Sequence, residues 1–130
     1  MEVIKRGTLP TIQMDGEVAA YIFDGRSHGN LESSAFIVDV PVGRGPGLHT
    51  HPYDEIFVVV EGTVRLEADG ETVEATPEEI CVVRAGVPHA FTNVGPGRAR
   101  MVNVHAAADV STEFVQDGRP GDPTYRYNVR

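Results

Sequence analysis

The sequence predicts an all-β protein, an antiparallel sandwich or barrel, on three observations. Glycine and proline, 14 and 9 of the 130 residues, cut the chain into short runs rich in Val, Ile, Thr, Phe and Tyr. That is the pattern of strands joined by turns. Within VVVEGTVRLEADGETVEA, Glu61-Gly62 and Asp69-Gly70 are turn signals, where glycine takes positive φ without steric cost. The segment between them alternates, with Val64, Leu66 and Ala68 on one face and Thr63, Arg65 and Glu67 on the other. Such alternation marks a half-buried antiparallel strand. Helical periodicity is almost absent, and many short, closely spaced strands form sandwiches or barrels.

In chain order, the runs between breaks place strands near 2–5, 10–14, 18–23, 33–40 and 47–51. Further strands follow near 55–61, 63–68, 72–75, 80–83, 89–94 and 99–106. TPEEI at 76–80 reads as one capped turn, with Thr76 as cap and Pro77 at the first helical position. DVSTEFVQD at 109–117 reads as one short C-terminal helix, and the Pro- and Gly-bearing tail 118–130 as extended. Tyr125 and Tyr127 share a face of that tail and are expected to cover a hydrophobic surface. No repeat or linker divides the chain, and 130 residues suit a single domain, 1–130.

Charge and composition narrow the partners. Lys plus Arg number 11 and Asp plus Glu 19, a formal charge of −8, which repels phosphate backbones and anionic lipid surfaces. Nucleic acid is not an expected partner, and neither is a membrane. The longest apolar run, IFVVV, is far too short to cross a bilayer. The N-terminus has no apolar segment of signal-peptide length. The single cysteine, Cys81, forms no internal disulfide and reads as a small buried hydrophobe. A soluble, cytoplasmic protein is expected.

The chemistry concentrates in GLHTHPYDEIF, residues 47–57. Residues two apart on a strand point to the same side, so His49 and His51 aim together. Pro52 holds His51 extended at the strand end. Glu55 then opens the next strand, where its carboxylate can return beside the imidazoles. His89, in RAGVPHAFTN, can approach from a neighbouring strand pair and complete a site of three histidines and one carboxylate. Mixed nitrogen and oxygen ligands suit one divalent transition metal: Fe, Mn, Ni, Co or Zn. A calcium site would carry more carboxylates, and a structural zinc site cysteines.

These residues resemble the two motifs of the cupin superfamily, in particular its small single-domain members. The first motif, G-x5-H-x-H-x3-E-x6-G over 43–62, is matched at Gly43, His49, His51, Glu55 and Gly62. The second, G-x5-P-x-G-x2-H-x3-N over 78–93, is matched at Gly86, His89 and Asn93. Glu78 and Arg84 stand where its first glycine and its proline are expected, positions that shape a turn and bind no metal. The resemblance implies a jelly-roll β-barrel, a double-stranded β-helix, with His49, His51, Glu55 and His89 as metal ligands.

Alternation assigns further residues. Phe57 and Val59 count inward from Glu55, and Phe91 and Asn93 from His89. Met101, Asn103 and His105 share one face of the last strand. If that face is inward, His105 is the catalytic candidate, an acid or base beside the metal. The pocket candidates are Phe57, Val59, Phe91, Asn93, Met101 and Asn103. Asn93 either accepts from a ligand imidazole or caps a turn. Tyr53 and Asp54 read as a solvated turn, with Asp54 alternatively holding the ligand hairpin. Arg44 and Arg84 are candidates for an anionic substrate at the barrel mouth; His28 reads as an ordinary loop residue. The resemblance implies a metal-dependent enzyme on a small organic molecule, an oxidoreductase of dioxygenase type or an isomerase. The alternative is a non-catalytic small-ligand-binding or sensing protein. A homodimer is expected, since exposed sheet edges need covering.

Overall fold

The computed structural model describes residues 1–115. The strands are β1 Thr11–Met14, β2 Glu17–Phe23, β3 Ser34–Val40, β4 His49–Thr50, β5 Glu55–Glu61 and β6 Val64–Ala68. They continue with β7 Glu71–Ala75, β8 Ile80–Val83, β9 His89–Asn93, β10 Ala99–His105 and β11 Glu113–Phe114. All pair antiparallel, in a six-stranded sheet ordered β1-β2-β3-β10-β5-β8 and a five-stranded sheet ordered β11-β4-β9-β6-β7. Strands distant in sequence lie side by side, β10 between β3 and β5, and β9 between β4 and β6. This is the expected jelly-roll barrel.

Strand alternation sorts the interior into rows, because cross-strand partners share a face. Across the larger sheet, Ser34, His105, Glu55 and Val83 form an end row, polar but for Val83. The next row is Ile22, Phe36, Asn103, Phe57 and Cys81, and the third is Ala20, Val38, Met101 and Val59. The smaller sheet answers with Ala68, His89 and His49, then Phe91 and Leu66, then Asn93, Val64 and Ala75. The apolar members of the lower rows form one buried core. Each fully buried large side chain there stabilises the fold by about 1.5–3 kcal/mol.

Glycine is required where backbones meet. A Cβ on Gly45 would lie 1.8 Å from the Phe91 carbonyl oxygen. Gly62, at φ +89°, closes the β5–β6 turn with only 2.8 Å between its Cβ direction and the Arg98 carbonyl oxygen.

Two expected elements differ. Residues 2–5 form no strand; the chain there is mostly exposed and leads into a 3₁₀ turn at Arg6–Thr8, with no neighbouring strand to pair. The expected helix at 109–117 is absent from its described part. Residues 106–112 bend across the barrel end, and β11 then pairs with β4 through Glu113↔Thr50 and Phe114↔His49. The backbone groups of this strap are consumed by that ladder and by side chains beneath it, so no helical bonds form. Positions 116–117, the extended tail 118–130, and Tyr125 and Tyr127 with it, lie outside the described residues. The turn at 76–80 is found, with the Thr76 backbone N–H and hydroxyl both 2.9 Å from the Glu79 carboxylate.

Candidate metal centre

The barrel register assembles the site. His49 and His89 are direct partners across β4 and β9, while Glu55 and His105 are direct partners across β5 and β10. The two pairs face each other across the end of the barrel interior. His51 follows β4 by one residue and turns into the same space. His49, His51, Glu55 and His89 offer ligand atoms that all lie within 4.8 Å of one another, and they could hold a metal ion. All four are buried, at 1–4% exposure.

Each of these imidazoles is oriented by a backbone carbonyl. Nδ1 of His49 donates to Gly47 O at 2.7 Å, that of His51 to Ser111 O at 2.7 Å, and that of His89 to Val87 O at 2.8 Å. A carbonyl only accepts, so the proton sits on Nδ1 and the Nε2 lone pair is left to face the cluster. Nε2 of His51 and of His89 lie 3.1 and 3.0 Å from the same oxygen, Glu55 Oε1. Electron pairs that close need a cation among them, a second ring proton or a metal. Burial pushes His49 down to about 3, reinforced by the neighbouring His89 and opposed by the bond to Gly47. That ring is therefore neutral at ordinary pH. Burial alone would raise the Glu55 carboxyl, but the hydrogen bond from His105 leads the contacts that hold it well below the usual carboxylate range.

His105 faces inward, 2% exposed, with Nε2 3.2 Å from Glu55 Oε2 and its ring stacked on Phe36 at 4.5 Å. Tyr53 is the residue that sequence reasoning missed. Expected in a solvated turn, it is 8% exposed, its ring stacks on His51 at 5.1 Å, and its hydroxyl lies 2.7 Å from His105 Nδ1. The reason is the strap: the Ser111 N–H donates to the Tyr53 hydroxyl at 3.2 Å, which brings cover from 58 residues along the chain. Only an aromatic placed between two ligand positions could have signalled this.

Asp54 accepts from the Ala85 N–H at 2.9 Å, and the Gly86 N–H donates to His51 O at 2.8 Å. The turn before His89 is thus tied to the His51–Glu55 turn, the holding role weighed for Asp54. Phe57, Val59, Phe91 and Met101 lie buried beneath the cluster, with Phe57 and Phe91 in edge contact at 6.2 Å. Asn103 is buried in the phenylalanine row, and its Oδ1 has no hydrogen-bond partner among the described residues. Asn93 settles as a turn cap. Its amide donates to Val40 O and Gly97 O, both at 2.9 Å, and its oxygen accepts from the Gly95 N–H. Arg44 pairs with Asp15 and carries the carbonyl that the Asn93 N–H bonds, so it sits at the other end of β9 from His89. Arg84 is exposed and 3.6 Å from Asp54. His28 stacks on Phe23, away from the cluster. Half-buried Cys81 packs against the core.

The profile of the cupin domain family matches residues 36–105. Over 55 residues, 42% of this chain, the sequence is 44% identical to "Polyketide synthase CurC" of Streptomyces cyaneus, of which the match spans only 36%. The fold is similar to a double-stranded β-helix protein of Klebsiella pneumoniae, with a TM-score of 0.67 and 16% identity over 88% of this chain and 92% of that one. It is also similar to an oxalate decarboxylase of Lactobacillus farciminis, with a TM-score of 0.74 and 19% identity over 84% of this chain and 34% of that one. At such identities the structural matches speak for the fold alone.

Proposed function

The chain belongs to the cupin domain family, and from that premise we propose that it is a metal-dependent enzyme acting on a small organic molecule, by dioxygenase- or isomerase-type chemistry. The observation that carries this reading is the convergence of carbonyl-fixed imidazoles on Glu55 Oε1. The donor set fits the group: three neutral nitrogens and one carboxylate oxygen, buried and pre-oriented, suit Fe, Mn, Ni, Co or Zn. His49, His51, Glu55 and His89 would hold it. When bound, such a metal supplies a Lewis acid that polarises and orients substrate oxygens.

The chain's own residues do the rest. Phe57 and Phe91 exclude water from the floor of the site and offer rings to an apolar skeleton. Asn103 Oδ1 is an acceptor for a substrate hydroxyl or amine. His105, against the Glu55 carboxylate, is the candidate to hold or deliver a proton. A Lewis acid in this site would suit substrates with neighbouring carbonyl or enol oxygens, such as diketones or catechols.

The burial of all four ligand residues also supports a closed, non-catalytic small-ligand site, the second reading. Turnover separates the two. Protein prepared without a histidine tag and loaded in turn with Fe(II), Mn(II) or Ni(II) is mixed with diketone and catechol substrates. Oxygen uptake or an isomerised product is expected, whereas tight binding of such compounds with no turnover under any metal would favour the second reading. A cytoplasmic homodimer completes the proposal. Its support is the apolar outer face of the larger sheet and a single cysteine that calls for no oxidising compartment. Among the described residues no helix is long and apolar enough to cross a membrane.

A further inference from the structure

The geometry points to Tyr53 and His105 as positioning residues that fix the Glu55 carboxylate, holding Oε2 in a hydrogen bond so that Oε1 alone is presented to the metal. The inference rests on the metal-site reading above and deepens it. The Ser111 N–H can only donate, and it does so to the Tyr53 hydroxyl at 3.2 Å. The hydroxyl proton needs an acceptor, and among the described residues His105 Nδ1 stands in reach, at 2.7 Å. Nδ1 therefore accepts, and the ring proton is on Nε2, directed at Glu55 Oε2 3.2 Å away. The chain runs one way: Ser111 N–H to Tyr53 O–H to His105 Nε2–H to Glu55 Oε2.

The other end of the carboxylate is different. Oε1 faces His51 Nε2 and His89 Nε2, whose rings are turned the opposite way by carbonyls on their Nδ1 atoms. One oxygen thus meets a hydrogen-bond donor and the other meets electron pairs. The four inward histidines are sorted into two tautomers by what touches Nδ1: a carbonyl for His49, His51 and His89, a phenol for His105. His105 is held in place further by Phe36, stacked at an interplanar angle of 11°. Without the Tyr53 hydroxyl, the His105 ring loses the bond that holds Nδ1, and its Nε2–H is aimed less firmly at Oε2. Without the ring, Oε2 loses its donor altogether, and in both cases the carboxylate is freer to bind through both oxygens.

Cobalt(II) is the probe, because its visible bands weaken as the coordination number rises. Wild-type protein and the variants Tyr53→Phe, His105→Leu and His105→Gln are titrated with cobalt(II), and folding is followed by circular dichroism. Tyr53→Phe keeps the ring against His51 and removes one oxygen, so it decides the matter even if His105→Leu does not fold. The expected result is cobalt affinity lowered roughly 10-fold, the scale for lost supports of metal ligands, with weaker visible bands in Tyr53→Phe and His105→Leu. A glutamine at 105 carries its own N–H to Glu55. His105→Gln should therefore restore the wild-type spectrum, and adding Tyr53→Phe to it should change nothing. Spectra of Tyr53→Phe that superpose on wild type at full cobalt occupancy would overturn the inference while leaving the metal site standing. A wild-type protein that binds no cobalt would sink the metal reading and this inference with it.

Discussion

At the scale of single residues, the site is a set of imidazoles whose tautomers are imposed by their neighbours. The consequence for stability follows from His49 and Glu55. A free histidine takes its proton near pH 6.5, whereas His49 in the fold is pushed down to about 3, by burial first and the adjacent His89 second. Between those values the unfolded chain binds the proton and the folded chain does not, so stability falls as pH falls. Glu55, held below the usual carboxylate range, acts in the same direction: its contribution is present above the unfolded carboxylate value and lost as pH drops through the folded one. The thermal midpoint of metal-free protein should therefore decline as pH is lowered from 6.5 toward 3, and His49→Gln should flatten that decline. Calorimetry across this range checks it; a wild-type midpoint independent of pH would refute the assignment. The ligand residues were legible in the sequence because strand alternation and a short turn translate spacing directly into direction. Tyr53 was not, because a tyrosine between proline and aspartate reads as solvated until residue 111 folds over it. His105 was legible as a face but not as a side, since Met101-Asn103-His105 and Val102-Val104 alternate equally well.

At the scale of elements, β1 to β10 follow the runs of β-branched and aromatic residues closely, with the Gly-marked turns falling between them. Residues 109–115, the described part of the expected 109–117 helix, form a strap instead because their fold depends on partners outside their own sequence: β4, His51 and Tyr53. The outer face of the larger sheet was not anticipated either. Two rows run across five strands, Tyr21-Ile37-Val102-Val58-Ile80 and Phe23-Ala35-Val104-Ile56-Val82. Both rows end on edge strand β8, where Ile80 is 68% and Val82 49% exposed. An apolar face open at an edge is the surface a second copy would cover. Light scattering should give a dimer for wild type and a monomer for the double variant Ile80→Lys, Val82→Lys. A wild-type monomer at micromolar concentration would contradict this.

At the scale of the whole molecule, the barrel is graded along its axis. One end row carries His49, His51, Glu55, His89 and His105, the next carries phenylalanines, and the last is aliphatic and closed by the Asn93 turn. Burying so many polar groups together is costly unless they are satisfied. Carbonyls satisfy Nδ1 of His49, His51 and His89, which leaves their Nε2 side to a cation, while His105 turns its Nε2–H to Glu55. Bound metal per chain reports on that cation. Elemental analysis of protein prepared without a histidine tag should find about one transition-metal ion per chain, as expected for one set of ligands. It should find almost none in His49→Ala or His89→Ala variants that remain folded. Metal content unchanged by either substitution, or absent from wild type even after exposure to Fe(II), Mn(II), Ni(II), Co(II) and Zn(II), would contradict the account.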